Sequence, residues 1–290
     1  MFRVLATLTV CTIALAGCEQ PQPIIPGQRE AVETLIKDVP VSQKVVNKTV
    51  AFSAPKMVNN ANWTQGHGTA RTRITHAALD GSLQRVWSAP IVTGDGQRTR
   101  ITADPVIAGG RIFTIDAEAR LNAHSVSGAP IWSIDLTPQG EGKGKAIGAG
   151  LAYGNDTLFV TTAFGVLYAI NPADGSIGWS QSLLGAGNTR PTYYDGLVYV
   201  ISSDRTAWAI EADKGRVRWQ IDGVDDVNNR MGSTAPAVSD KFALFGFGSG
   251  EVQAVFRKGG LVYWNSSIKG ARLGRSEGAI IDLGASPVIS

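Results

Sequence analysis

From about Asn62 onward, apolar residues fall in short blocks divided by Gly, Asp and Asn, and the blocks repeat. INPADGSIGW (170–179) opens apolar, turns at Asp-Gly and closes on Trp. AIEADKGRVRW (209–219), AHSVSGAPIW (123–132), AVFRKGGLVYW (254–264) and, more loosely, AALDGSLQRVW (77–87) follow the same plan. The closing residues Trp87, Trp132, Trp179, Trp219 and Trp264 stand 45, 47, 40 and 45 positions apart, a period near 44. Four copies also start alike, with Pro105, Leu151, Pro191 and Pro236 standing 27 or 28 residues before their Trp. A fixed period kept in phase means radial or solenoid repetition.

Each copy predicts a short strand after the Pro, then a turn at Gly109-Gly110, Asn155-Asp156, Asp195-Gly196 or Asp240-Lys241. An apolar strand such as LVYVI (197–201), a third strand, a Gly-bearing turn and a strand ending in Trp complete it. Four antiparallel strands per 44 residues describe a propeller blade, apolar on both faces because each twisted sheet packs on the next. Glycine admits the turn, and Trp fills the seam between blades. The fold class is therefore an all-β propeller over residues 61–290, with about five blades present. GASPVIS restarts the repeat at Pro287, 28 residues ahead of where its Trp would fall, and the sequence ends before it, which predicts an open arc with apolar blade faces bare at both ends.

Ahead of the repeats, Arg3 and the apolar run 4–17 have the charge and length of a signal peptide, too short to span a bilayer. The run ends in Leu15-Ala16-Gly17-Cys18, which resembles a bacterial lipobox. Residues 1–17 are then a signal peptide that carries Cys11 away, and Cys18 is the acylated first residue, so no disulfide is available. Residues 18–60 read as a tether broken by Pro21, Pro23, Pro26, Pro40 and Pro55. Within it, Ala31, Val32, Leu35 and Ile36 allow a turn or two of helix, and KVVNKTVAF (44–52) alternates as a strand.

Composition narrows the chemistry. The 27 basic residues nearly balance the 24 acidic ones, so there is no electrostatic case for nucleic acid. His67, His76 and His124 are dispersed, TPQGEGKGKAIGAG (137–150) lacks phosphate-loop spacing, and Asp225-Asp226 is the sole adjacent acidic pair.

The repeat resembles the pyrroloquinoline-quinone type, which occurs in quinone-dependent dehydrogenases and in the BamB-type lipoproteins of outer-membrane β-barrel assembly. The dehydrogenase resemblance implies a Ca²⁺ beside the quinone, an Asp base and often a vicinal disulfide, which this cysteine count cannot supply. The BamB-type resemblance also covers the lipobox, the Pro-rich tether and NNANWTQGHG (59–68). It implies eight blades in full and no cofactor. It further implies a non-catalytic scaffold on the periplasmic face of the outer membrane that binds the POTRA domains of the barrel insertase, other assembly lipoproteins and unfolded clients. By the same resemblance, Arg230 with its neighbour Met231 in VNNRMGSTAP, and Asp282 in RSEGAIIDLGASP, are the partner-binding residues. A quinone-dependent or periplasmic ligand-binding propeller is the alternative.

Overall fold

The computed structural model describes residues 51–290 apart from 52, 75, 80, 97–98, 145–147, 188, 224–233 and 269–284. The lipobox, with Cys18, and nearly all of the tether therefore lie outside the described residues, as do its helical piece and all but Ala51 of the 44–52 strand. Among the described residues, sixteen strands form four sheets, each a four-stranded antiparallel meander in chain order. Blade 1 holds β1 (Val106–Ala108), β2 (Arg111–Ile115), β3 (Arg120–Ser125) and β4 (Pro130–Asp135). Blade 2 holds β5 (Ala149–Gly154), β6 (Thr157–Thr162), β7 (Val166–Ile170) and β8 (Ile177–Ser182). Blade 3 holds β9 (Thr192–Tyr194), β10 (Leu197–Ile201), β11 (Thr206–Glu211) and β12 (Val217–Asp222). Blade 4 holds β13 (Ala237–Val238), β14 (Phe242–Gly246), β15 (Glu251–Phe256) and β16 (Val262–Ser267).

Three first hairpins turn through two left-handed residues, Gly109-Gly110, Asn155-Asp156 and Asp195-Gly196, as the right-handed strand twist favours. Asp240-Lys241 is not among the left-handed residues, in keeping with the Cβ cost that Lys meets there. The core is a series of seams. Phe113, Ile115 and Leu121 of blade 1 meet Leu158, Val160 and Ile170 of blade 2. Phe159 and Leu167 of blade 2 meet Val198, Val200 and Trp208 of blade 3, and Tyr199 and Ile201 of blade 3 meet Phe245 and Val255 of blade 4.

Four of the five Trp-terminated copies are blades; the fifth differs. Around Trp87 the described residues form only isolated bridges, Val58 with Ala77 and Trp63 with Ile107. The cause is in the chain itself: 28 residues before Trp87 stands Asn59, and no Pro-led strand and apolar partner follow it. Leu79, Leu83 and Val86 are correspondingly exposed. The expectation of two apolar end faces also holds at one end only. On blade 4, Tyr263 and Trp264 are exposed. On blade 1 the face turned away from blade 2 is mixed, carrying Thr114, Asn122 and His124 beside Ile112, where the matching positions of blade 2 are Val160, Tyr168, Ile170 and Leu158.

Candidate functional site: seams, inner strap and connecting rim

Each seam is built the same way. Ala123, Ala169, Ala209 and Ala254 pair across the sheet with Trp132, Trp179, Trp219 and Trp264, so a methyl group faces each indole and leaves it room. The ladder then shifts by one residue at a bulge. The indole N–H groups of Trp132, Trp179 and Trp219 reach into the next copy. Trp132 Nε1 donates to the Pro172 carbonyl at 3.0 Å, Trp179 to Ala212 at 3.0 Å and Trp219 to Arg257 at 2.9 Å. The ring lies on that copy's left-handed glycine: a Cβ on Gly175, Gly215 or Gly260 would stand 2.8, 2.6 or 2.7 Å from it. Trp87 makes the same seat on Gly128, with Nε1 2.8 Å from the Val126 carbonyl, although no blade forms around it.

The repeat glycine thus has two constraints, its turn and the neighbouring indole, and only the first is visible within one copy. The seam between blades 3 and 4 adds a buried cation that sequence reasoning missed. Arg257 donates to the Asp195 carboxylate at 2.9 Å and the Asp240 carbonyl at 3.2 Å, and lies 5.1 Å from the Tyr194 ring. Burial pushes the neighbouring Tyr199 hydroxyl up to about 12.

A second feature is the path of NWTQGHGTAR. Trp63 exchanges two backbone bonds with Ile107 at the edge of blade 1, at 2.7 and 2.8 Å. The Thr64 carbonyl accepts from Tyr153 N–H of β5 at 2.6 Å, and Gln65 Oε1 accepts from Tyr193 N–H of β9 at 2.9 Å. The Ala70 carbonyl accepts from Val238 N–H of β13 at 2.7 Å, and the Arg71 carbonyl from Ile289 N–H at 3.1 Å. This strap runs along the innermost strands of the four blades in order and bonds one or two backbone groups of each inner edge. Its signal in the sequence is a stretch with Trp and Gln but no blade of its own.

In every blade, the end of the fourth strand, the start of the first and the turn between second and third share one edge. The strand ends between which the chain passes from blade to blade therefore sit on one rim. At its first link, Asp135 accepts from Thr137 N–H at 3.0 Å and pairs with Lys143 at 3.2 Å. Burial favours its neutral form, but the bonds from Thr137 and the Lys143 ammonium outweigh burial and hold the carboxyl at about 2. A depressed carboxyl stabilises the fold above its ordinary pKa and loses that contribution as pH falls through the folded value. Acid titration from pH 4 to 2 is expected to cost about 1–2 kcal/mol here after allowance for solvent screening. Asp135→Asn should remove that part of the pH dependence in denaturant titrations.

Arg230, Met231 and Asp282 lie outside the described residues. The residues after their two segments are described and adjoin: Ala235 N–H donates to Ser286 Oγ at 3.1 Å. Among the described residues, no three His, Cys, Asp or Glu side chains are grouped to hold a metal.

Four-stranded meanders joined through indole seams, with a strap along their inner edges, define a β-propeller of the pyrroloquinoline-quinone-like repeat class. Solved structures agree on the fold. BamB from Moraxella catarrhalis superposes with a TM-score of 0.56 at 15% identity, covering 66% of this chain and 56% of that one. A quinohemoprotein alcohol dehydrogenase from Comamonas testosteroni gives 0.60 at 15% identity, covering 72% and 41%. Residues 117–290 match the family described as outer membrane protein assembly factor BamB, and the chain belongs to that family. The outer membrane protein assembly factor BamB of Yersinia pestis is 24% identical over 213 residues, 72% of this chain and 54% of that protein. Its counterpart in Shewanella oneidensis is 27% identical over 212 residues, 70% and 53%. The chain spans about half the length of the curated relatives it matches.

Proposed function

We propose that this chain is a non-catalytic scaffold of outer-membrane β-barrel assembly, held by acyl chains on Cys18 at the periplasmic face of the outer membrane. It binds the POTRA region of the barrel insertase, beside other assembly lipoproteins, and helps present unfolded clients. The observation that carries this reading is the family match over residues 117–290, which runs through three consecutive blades and the links between them. The strap supports it: the inner edges, where a quinone-bearing propeller would need room for its cofactor, are bonded to the chain's own residues 63–71.

On this reading Arg230, Met231 and Asp282 meet the insertase. The described residues that follow their segments include Ala235 and Ser286, which are hydrogen-bonded neighbours, and this supports a single partner surface. Charge-assisted contacts at the centre of an interface are worth roughly 1.5–3 kcal/mol each. Crosslinking in native membranes followed by mass spectrometry should recover the insertase with the wild-type chain. Recovery should fall at least about tenfold when Arg230 and Asp282 are both alanine. Insertase recovery unchanged by the double substitution would remove these residues from the contact, and none with folded, lipidated wild type would turn the reading toward a ligand-binding or quinone-dependent propeller.

A further inference from the structure

The link between blades 2 and 3 holds the most unusual residue of the rim. Leu184 takes φ +62° with its side chain 82% exposed. Gly185 N–H closes a three-residue turn onto the Leu183 carbonyl at 2.7 Å, with Leu184 at its apex. A left-handed apex of this kind is the strained form of the turn, and a bulky non-glycine residue there is uncommon.

The turn is held on both sides. Leu183 N–H donates to the Gly165 carbonyl at 2.8 Å and Gly187 N–H to Thr162 at 3.0 Å, both on blade 2. Ser203 N–H of blade 3 donates to the Ala186 carbonyl at 2.9 Å. Leu183 beside it is fully buried in the blade 2–3 seam. The sequence therefore spends one leucine on the core and sets the next, rigidly and against its backbone preference, into solvent. An exposed leucine is ordinary; one that also carries backbone strain gains nothing for folding from its side chain.

We propose that Leu184 is a preformed apolar knob by which this rim docks into an apolar pocket on a folded protein partner. Resting on the assembly reading above, we assign that pocket to the POTRA region of the barrel insertase. The rigid turn means little ordering entropy is lost on docking, which favours a folded acceptor over a flexible client. Leu184 also shares its rim with the ends of β12 and β16, from which the chain leads on toward Arg230 and Asp282.

The test uses the full chain purified in detergent, with the purified periplasmic domains of the same bacterium's insertase as probe. Leu184→Ala removes the knob and keeps the strain; Leu184→Gly removes both. Both variants should bind at least about fivefold more weakly, while the glycine variant melts at or up to about 3 °C above wild type. Wild-type binding with both variants within twofold of it overturns the knob and leaves the assembly reading standing. A clear fall in Tm for the glycine variant makes Leu184 a structural residue and also overturns the proposal. A wild-type chain that does not bind the probe overturns the assembly reading and, with it, the partner assigned to the knob.

Discussion

Gly150→Ala is expected to be strongly destabilising, because the added methyl group would run into fixed backbone. A Cβ at position 150 would stand 2.5 Å from Arg190 Cα, 2.5 Å from the Thr189 carbonyl oxygen and 2.9 Å from Arg190 N. These are backbone atoms, and they are fixed. The Thr189 carbonyl accepts from Thr161 Oγ1 at 2.6 Å, Thr189 Oγ1 donates to the Ile201 carbonyl at 2.8 Å, and Arg190 pairs with Asp104 at 2.8 Å. Relief requires moving the start of blade 3 away from blade 2, which opens the seam that buries Phe159, Val198 and Val200. Overpacking of a core costs about 1–3 kcal/mol where side chains can yield, and more where backbone must move. A loss of about 3–4 kcal/mol, or a Tm lower by roughly 10 °C, should appear in thermal unfolding followed by circular dichroism. Gly154→Ala meets a side chain instead, the Tyr193 ring that stacks on Phe159 with centroids 5.8 Å apart, and should disturb the same seam. Gly110→Ala meets nothing within 4 Å at φ +71°, so only the left-handed backbone cost of about 1–2 kcal/mol remains. If Gly150→Ala melts within 2 °C of wild type, the inner strands are not packed as described.

The blade pattern was legible because every copy must solve the same packing problem, and repetition multiplies a weak local signal. The Trp period, the Pro-led strands and the paired turns each follow from one meander whose both faces are covered. Two things escaped. Trp87 carries the repeat's last residue without a blade behind it, since an indole seat needs only a glycine turn on the following copy, here Gly128. The count of Trp residues therefore exceeds the count of sheets. The strap escaped because its bonds are mostly backbone bonds to strands between about 45 and 220 positions away, as from Trp63 to Ile107 and from Arg71 to Ile289. Side-chain periodicity carries no record of such pairing. Of the proposed partner surface, the sequence supplied Arg230, Met231 and Asp282 by likeness alone. Leu184 could not be found in that way, because what marks it is a backbone angle.

The second large effect tests the seam as a coupled unit. Trp179→Ala should cost about 3–4 kcal/mol, since the half-buried indole packs on Phe159, with ring centroids 6.1 Å apart, and donates to the Ala212 carbonyl. Gly215→Ala should cost about 2–3 kcal/mol, because the added Cβ would lie 2.6 Å from the Trp179 ring at φ +68°. Together the two changes should cost less than their sum by about 1–2 kcal/mol. Without the indole the new methyl group has space, and only its left-handed backbone cost remains. Urea unfolding of the four variants gives this coupling directly, and additivity within about 0.5 kcal/mol would mean that glycine serves its turn alone. The same cycle at Trp87 and Gly128 carries the argument one step further. The geometry is equivalent, with a Cβ 2.8 Å from the ring, but Trp87 is 36% exposed and has no sheet behind it. Its single-substitution cost should therefore be about 1–2 kcal/mol, with a coupling of similar relative size. A seat that keeps the same relative coupling while contributing less in total would show that the Trp–Gly contact is set by the pair itself, and that the blade behind it determines only how much that contact is worth.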